Sequence, residues 1–236
     1  ILISDFDSQK AKLFAEQIGA SAADNATVAN ECERIFLGVK PQMMSEMLSG
    51  IKDVLCAKKP ILISMAAGIK ISKIQELVGS ALPVIRIMPN TPVSVGKGTV
   101  LYCSQNTESI IVDDFVADMR YAGTLNKIDE NLIDAGCSVS GCGPAFMYMF
   151  VNAVAKGGEQ CGLSQSDALK LAASTMSGAA EMLLTSDKTP EQLTDAVCSK
   201  GGSTIEGVNV LRNSEFENIV ADCIKAAYKR NIELGK

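Results

Sequence analysis

Short runs that are apolar at almost every position alternate with helical segments as far as Asp129, and beyond that point the strand pattern stops. No other feature constrains the fold as much. The runs at 34–39 (RIFLGV), 61–64 (ILIS), 84–88 (VIRIM) and 100–103 read as strands, as do Ile1, Leu2 and Ile3 at the start and residues 124–128 at the close. A strand with no polar face is covered on both sides, which is the pattern of a sheet sandwiched by helices. Between the runs, residues 9–18 and 43–55 carry apolar residues at helical spacing, the second through Met43, Met44, Met47, Leu48, Ile51, Val54 and Leu55. Residues 115–121 read as a further helix. The expectation is a doubly wound α/β domain over residues 1–129.

From residue 130 the chain reads as all-helical. Helices are expected over 144–162, over 166–184 with Ser164 or Ser166 as N-cap, over 190–197 behind Thr189 with Pro190 in the first turn, and over 216–234. The segment from Pro144 is apolar around much of its circumference, which one chain cannot easily cover. Residues 130–236 are therefore expected to form a helical domain that packs against a second subunit.

Composition removes several kinds of chemistry. The 236 residues include no His, which excludes Ser-His, Cys-His and His-metal mechanisms together. No metal site is expected. With 22 Lys and Arg against 27 Asp and Glu the net charge is −5, which argues against nucleic acid or an anionic membrane as partner. The eight cysteines form no C-x-x-C pair, and several lie in apolar runs. Buried, reduced thiols in a cytoplasmic protein are expected. No uninterrupted apolar run approaches the ~18–20 residues of a membrane span, and no signal peptide is visible.

Three segments carry chemistry. In Ser199-Lys200-Gly201-Gly202-Ser203-Thr204-Ile205-Glu206, the Ser203-x-x-Glu206 spacing predicts a capping box ahead of a helix to about Leu211. Two glycines let backbone approach a ligand, and a helix N-terminus suits a carboxylate or phosphate. Thr204 places a hydroxyl just inside. An ordinary capped helix after a glycine turn satisfies the same spacing. Ser140-Gly141-Cys142-Gly143-Pro144 flanks the start of the long helix, where tight packing is the simple explanation. Arg86-Ile87-Met88-Pro89-Asn90-Thr91-Pro92 leaves a strand at its carboxyl end, as do Val39-Lys40-Pro41 and Ala66-Ala67-Gly68. Ligands of open α/β sheets bind along that edge. A G-x-G-x-x-G motif is absent.

Taken together, FLGVKPQ (36–42), SMAAGIKIS (64–72), RIMPNTPVSVGKG (86–98), SGCGPAFMY (140–148) and SKGGSTIEGVNVL (199–211) closely resemble the pyrroline-5-carboxylate reductase family. The resemblance implies a Rossmann-type N-terminal domain and an all-α C-terminal dimerisation domain in a homo-oligomer, often a decamer. It implies hydride transfer from NADPH or NADH to the C=N bond of 1-pyrroline-5-carboxylate, giving L-proline. By position, Val39, Lys40, Pro41, Ala66, Ala67 and Gly68 line the cofactor, and Asn25 meets its adenosine end. Gly201, Gly202, Ser203 and Thr204 hold the substrate, with Thr204 beside the ring nitrogen as the catalytic hydroxyl. Asp187 falls where relatives carry a carboxylate near the substrate.

This chain departs from the family at Lys200, Cys142, Ser203 and Phe146, where Pro, Ser, Thr and Tyr are common, and none of the four removes Thr204. The family also begins with a strand and a glycine-rich turn that would precede Ile1. The first strand lies centrally in the doubly wound order, so a gap in the sheet is expected, along with the loss of the pyrophosphate turn. Such a chain reads as part of an active enzyme, or as an oligomerisation fragment that binds cofactor poorly. Another two-domain dehydrogenase or imine reductase is a further alternative; Lys156 is the one proton donor its long helix offers. Asp5, ending the first strand, suits the ribose 2′-hydroxyl of NADH, whereas the resemblance implies NADPH, with Lys10 or Lys12 available to the phosphate.

Overall fold

A computed structural model describes residues 1–234. They divide into two compact units, one comprising Ile1–Gly141 with the chain from Ala227 on, the other Cys142–Ala226. The sequence boundary at 129/130 falls earlier because the first helix after it packs on the sheet of the first unit.

In the first unit, strand β1 (Leu2–Ile3) leads to α1 (Ser8–Ile18), β2 (Ser21–Ala22), α2 (Asn25–Glu31) and β3 (Arg34–Leu37). Then come α3 (Met44–Lys58), β4 (Ile61–Ser64), α4 (Ile71–Val78), β5 (Val84–Met88), β6 (Gly98–Gln105), α5 (Ser109–Asp118), β7 (Gly123–Lys127) and α6 (Ile133–Ser140). Local chemistry sets several of these ends. Asp7 accepts the N–H groups of Gln9 and Lys10 to start α1, and Gly19 ends it in the left-handed conformation. Asp24 starts α2 through Thr27 N–H.

The expected gap is present. β1 and β2 pair with each other alone, while β3-β4-β5-β6-β7 form a separate five-stranded sheet. One feature of that sheet differs from the parallel order the strand pattern suggests: β5 and β6 run antiparallel, and β6 and β7 parallel. The β5–β6 connection, residues 89–97, is shorter than the dozen or so residues a parallel crossover needs.

Every residue of β5 is buried. Its alternate side chains serve two cores: Val84 and Met88 join α3, α4 and α6, whereas Ile85 and Ile87 join Val100 and Phe115. Arg86 lies on the first of these faces and is fully buried. Where β6 meets β7, Gly98 pairs with Gly123. Gly123 has φ 129°, and a Cβ there would lie 2.1 Å from the carbonyl oxygen of Gly98. Gly123→Ala is therefore expected to cost about 2 kcal/mol or more. Thermal unfolding should show a fall of roughly 4–8 °C in midpoint.

Cys103 on β6 is the one buried cysteine; Cys161 and Cys223 are exposed and the other five lie between, so the expectation of buried thiols holds only at Cys103. Burial, reinforced by the negative charge of Glu130, pushes the Cys103 thiol up to about 11. At pH 8 only about one thiol in a thousand is then the reactive thiolate. Iodoacetamide at that pH should leave Cys103 unmodified in the folded protein, and mass spectrometry of its peptide checks this.

The second unit holds α7 (Gly143–Gln160), α8 (Gln165–Thr185), α9 (Pro190–Val197), α10 (Ser203–Arg212) and the greater part of α11 (Phe216–Leu234). Its buried core within one chain is only Ala155, Ala168 and Ala172, with Val151 against them. Met149 (72% exposed), Leu184 (78%) and Val210 (71%) lie open with many other apolar side chains. A unit that buries so little and exposes so much apolar surface needs a further surface to cover it. The 31-residue helical stretch Glu130–Gln160 contains an 18-residue window of mean hydropathy 1.2, long and apolar enough to cross a membrane by length and composition alone.

Candidate functional site

The side chains assigned to the cofactor all follow strand ends on one edge of the first unit. Asp5 follows β1, Asn25 opens α2 after β2, Val39, Lys40 and Pro41 follow β3, and Ala66, Ala67 and Gly68 follow β4. Asp5, Asn25 and Val39 come together on a cleft of about 700 Å³ beside α1 and α3, with Ser4, Lys12, Met43 and Met47. Lys40, Pro41, Ala66, Ala67 and Gly68 do not line it. Its lining mixes apolar side chains, Val39, Met43 and Met47 among them, with polar ones, Asp5 and Asn25 among them.

Asn25 is positioned by Ser4, whose hydroxyl donates to its Oδ1 at 2.8 Å. Asp5 accepts the N–H of Asp7 at 2.9 Å and pairs with Lys10 at 3.6 Å. The Asp7 N–H, aided by Lys10, holds the Asp5 carboxyl below the usual carboxylate range, so it is charged at neutral pH. Lys10 is thus engaged by Asp5 and lies off the cleft, whereas Lys12 lines it.

The loop after β4 is tied at both ends. Met65 N–H donates to Leu37 O at 3.2 Å, and Ala66 N–H donates to Ser64 Oγ at 3.3 Å. Gly68 turns with φ 75°. The loop ends at α4, whose first N–H, on Ile71, donates to Glu130 Oε1 at 2.6 Å. The exit of β5 is fixed by Asn90, which accepts Thr99 N–H at 2.8 Å and donates to Ser140 O at 3.0 Å. Sequence spacing gave no sign of Glu130 or Asn90 in these roles, because their partners are remote in the chain.

In the second unit the turn before α10 is built by glycines. Gly201 has φ 71°, and Gly202 N–H donates to Ser199 O at 3.0 Å. A Cβ on Gly202 would lie 2.4 Å from Ser199 Oγ, so no larger residue fits without a shift. The capping box expected at Ser203 is not formed. Gly202 is the N-cap, Ser203 is the first helical residue, and no side chain caps the helix. The reason is that Gly202 itself takes the extended conformation the cap requires (φ −80°, ψ 166°). The consequence is chemical: the first-turn N–H groups of α10 keep their capacity for an anion, at the positive end of the helix dipole. Ser203, Thr204 and Lys200 are exposed, Thr204 in that first turn. Asp187, in the connection between α8 and α9, is exposed, and no hydrogen bond joins it to Thr204 among the described residues. Lys156, on α7, is also exposed. Among the described residues no group of three or more His, Cys, Asp or Glu could hold a metal ion.

Comparison with known proteins bears on both units. Residues 130–234 match the family described as pyrroline-5-carboxylate reductase dimerisation. Residues 1–68 match the family described as NADP oxidoreductase, coenzyme F420-dependent. A pyrroline-5-carboxylate reductase of Synechocystis is 37% identical over 217 residues, covering 90% of this chain and 79% of that protein. The structure of a pyrroline-5-carboxylate reductase from Coxiella burnetii superposes with TM-score 0.91 at 29% identity, over 100% of this chain and 88% of the other. That of a Plasmodium falciparum pyrroline carboxylate reductase with NADP bound superposes with TM-score 0.83 at 32% identity, over 92% and 82%.

Proposed function

We propose the chemistry of this chain from one premise: it belongs to the pyrroline-5-carboxylate reductase family. It is an NAD(P)-dependent oxidoreductase that reduces the C=N bond of 1-pyrroline-5-carboxylate to give L-proline, the last step of proline synthesis. NADP(H), when bound, supplies the hydride. NADH is a second donor for which Asp5 argues, since its charge suits a ribose 2′-hydroxyl better than a phosphate. Lys12, on the same cleft, is the cation available to a 2′-phosphate.

One observation carries the placement of the substrate: the uncapped start of α10, with the Gly201-Gly202 turn before it and the Thr204 hydroxyl inside it. The substrate is a small anion with a cyclic imine. The N–H groups of Gly202, Ser203 and Thr204 take its carboxylate, Gly202 by exchanging its bond to Ser199. Thr204 Oγ1 donates to the ring nitrogen, drawing electron density from the carbon that accepts hydride. A hydroxyl does this without His, of which the chain has none. Asp187 approaches the same pocket when substrate is held. Val39, Lys40, Pro41, Ala66, Ala67, Gly68 and Asn25 hold the cofactor along the strand-end edge.

The dimerisation match over residues 130–234 accounts for the exposed apolar helices of the second unit, which a second copy covers. Larger rings of dimers, such as a decamer, extend the same contact. The eight cysteines, none of them in a disulfide, suit the reducing cytoplasm. Oxidation of NADPH by pyrroline-5-carboxylate and, separately, reduction of NADP+ by 3-hydroxy acids, each followed at 340 nm, test the assignment. Turnover confined to the imine is expected; turnover confined to the hydroxy acids would refute it.

A further inference from the structure

Beside the sheet lie buried charges, which often stabilise a fold no more than an apolar cluster of the same volume would. Their geometry shows what they serve. Arg86 on β5 is fully buried, next to Ser64 of β4 in the sheet register. Its Nη2 donates to Asp134 of α6 at 2.9 Å. Its Nη1 lies 3.7 Å from Glu130 Oε1, too far for a hydrogen bond, and both Nη1 and Nε are left without a hydrogen-bond partner. A buried guanidinium with unmet donors is costly. The Glu130 oxygen that could have met them is instead 2.6 Å from the N–H of Ile71.

We infer that Glu130 is a positioning residue for the cofactor: held by the charge of Arg86, it pins the start of α4 and so fixes the loop that carries Ala66, Ala67 and Gly68. The near end of that loop is fixed by β4, through Met65 N–H on Leu37 and Ala66 N–H on Ser64 Oγ. Its far end has no cap of its own, because Lys70 at the N-cap position offers no side-chain acceptor. Glu130 supplies the acceptor from 59 residues further along the chain. It opens the segment that matches the dimerisation family, yet it lies in the first compact unit, with the loop it completes. Asp134 keeps the clamp in place: Arg86 holds its carboxylate, and Asn231 of α11 donates to its backbone oxygen at 3.1 Å and to Ser138 Oγ at 3.2 Å.

The inference rests on the placement of the cofactor against residues 66–68, and two substitutions separate the two ideas. Glu130→Asp keeps the charge near Arg86 but withdraws the carboxylate from Ile71. Glu130→Gln keeps an oxygen acceptor for Ile71 and removes the charge. Amide hydrogen exchange of residues 66–71 is read on the unliganded protein, and dissociation constants for NADPH and NADH by fluorescence titration. Glu130→Asp should speed exchange in the loop about tenfold and weaken cofactor binding about tenfold, leaving the KM for pyrroline-5-carboxylate unchanged. Glu130→Gln keeps the acceptor but loses the pull of Arg86, so both effects should appear in it more weakly than in Glu130→Asp, at about threefold. Unchanged exchange in Glu130→Asp, or the reverse ranking of the two variants, overturns the positioning role. Faster exchange with unchanged cofactor affinity leaves the clamp standing and refutes the cofactor's place on that loop.

Discussion

Thr204→Ala should lower kcat/KM for pyrroline-5-carboxylate by about a hundredfold while the protein assembles as before. Removing one hydrogen-bond donor aimed at a reacting centre costs roughly 10²–10³ in rate where negative charge develops. Here a positive or neutral imine nitrogen gains electron density only in part, so the low end applies. Thr204 is exposed in the first turn of α10, and among the described residues its side chain makes no hydrogen bond. Losing it should therefore leave stability within about 0.5 kcal/mol of the parent. Thr204→Ser retains the hydroxyl and should recover most of the rate. Steady-state kinetics with light-scattering mass on the same samples checks both halves. Unchanged kinetics in Thr204→Ala would remove the hydroxyl from the mechanism.

Arg86→Met should produce the largest loss of stability in the chain, about 3–5 kcal/mol. The cause is what remains: Glu130 and Asp134, with side chains only 23% and 13% exposed, both lose the cation they pair with. The sign is diagnostic. Adding Asp134→Leu and Glu130→Gln to Arg86→Met should return much of the loss, because an apolar and neutral cluster needs no counter-charge. Urea unfolding of the single and triple variants measures this. A triple variant less stable than Arg86→Met alone would contradict the claim that stranded charge, rather than lost packing, is the cause. Cofactor affinity need not recover with stability, since Glu130→Gln spares the bond to Ile71 but α6 loses its hold through Asp134.

How much of this could be read in the sequence varied with the range of the interactions. The strands 61–64 and 84–88 agree with the structure at both ends, because every position in them except Ser64 and Arg86 is apolar and both faces are covered. The helix 190–197 is likewise found as expected, since Thr189 and Gln192 form a reciprocal cap that a few residues encode by themselves. By contrast β2 has only two residues, both exposed, and carries no apolar signal. Helix α4 is not among the expected helices, although Ile71, Ile74 and Val78 do keep helical spacing.

The candidate site shows the same division. Gly201, Gly202 and Thr204 are legible because the turn and the helix start are local. Even so, the S-x-x-E spacing misled by one position, since glycine can serve as N-cap without a side chain. The clamp of Arg86, Glu130 and Asp134 was not legible at all. Its members are 44 and 48 residues apart, and only the packing of α6 on the sheet brings them together. The antiparallel turn from β5 to β6 was recoverable in principle from the short 89–97 connection.

The account depends most on where the acid group of the ligand sits, and a crystal structure with L-proline bound measures that directly. The prediction is a carboxylate within hydrogen-bond distance of the N–H groups of Gly202, Ser203 and Thr204, with the ring nitrogen beside Thr204 Oγ1. A proline whose carboxylate is bound by other groups, with the start of α10 left to water, would contradict it.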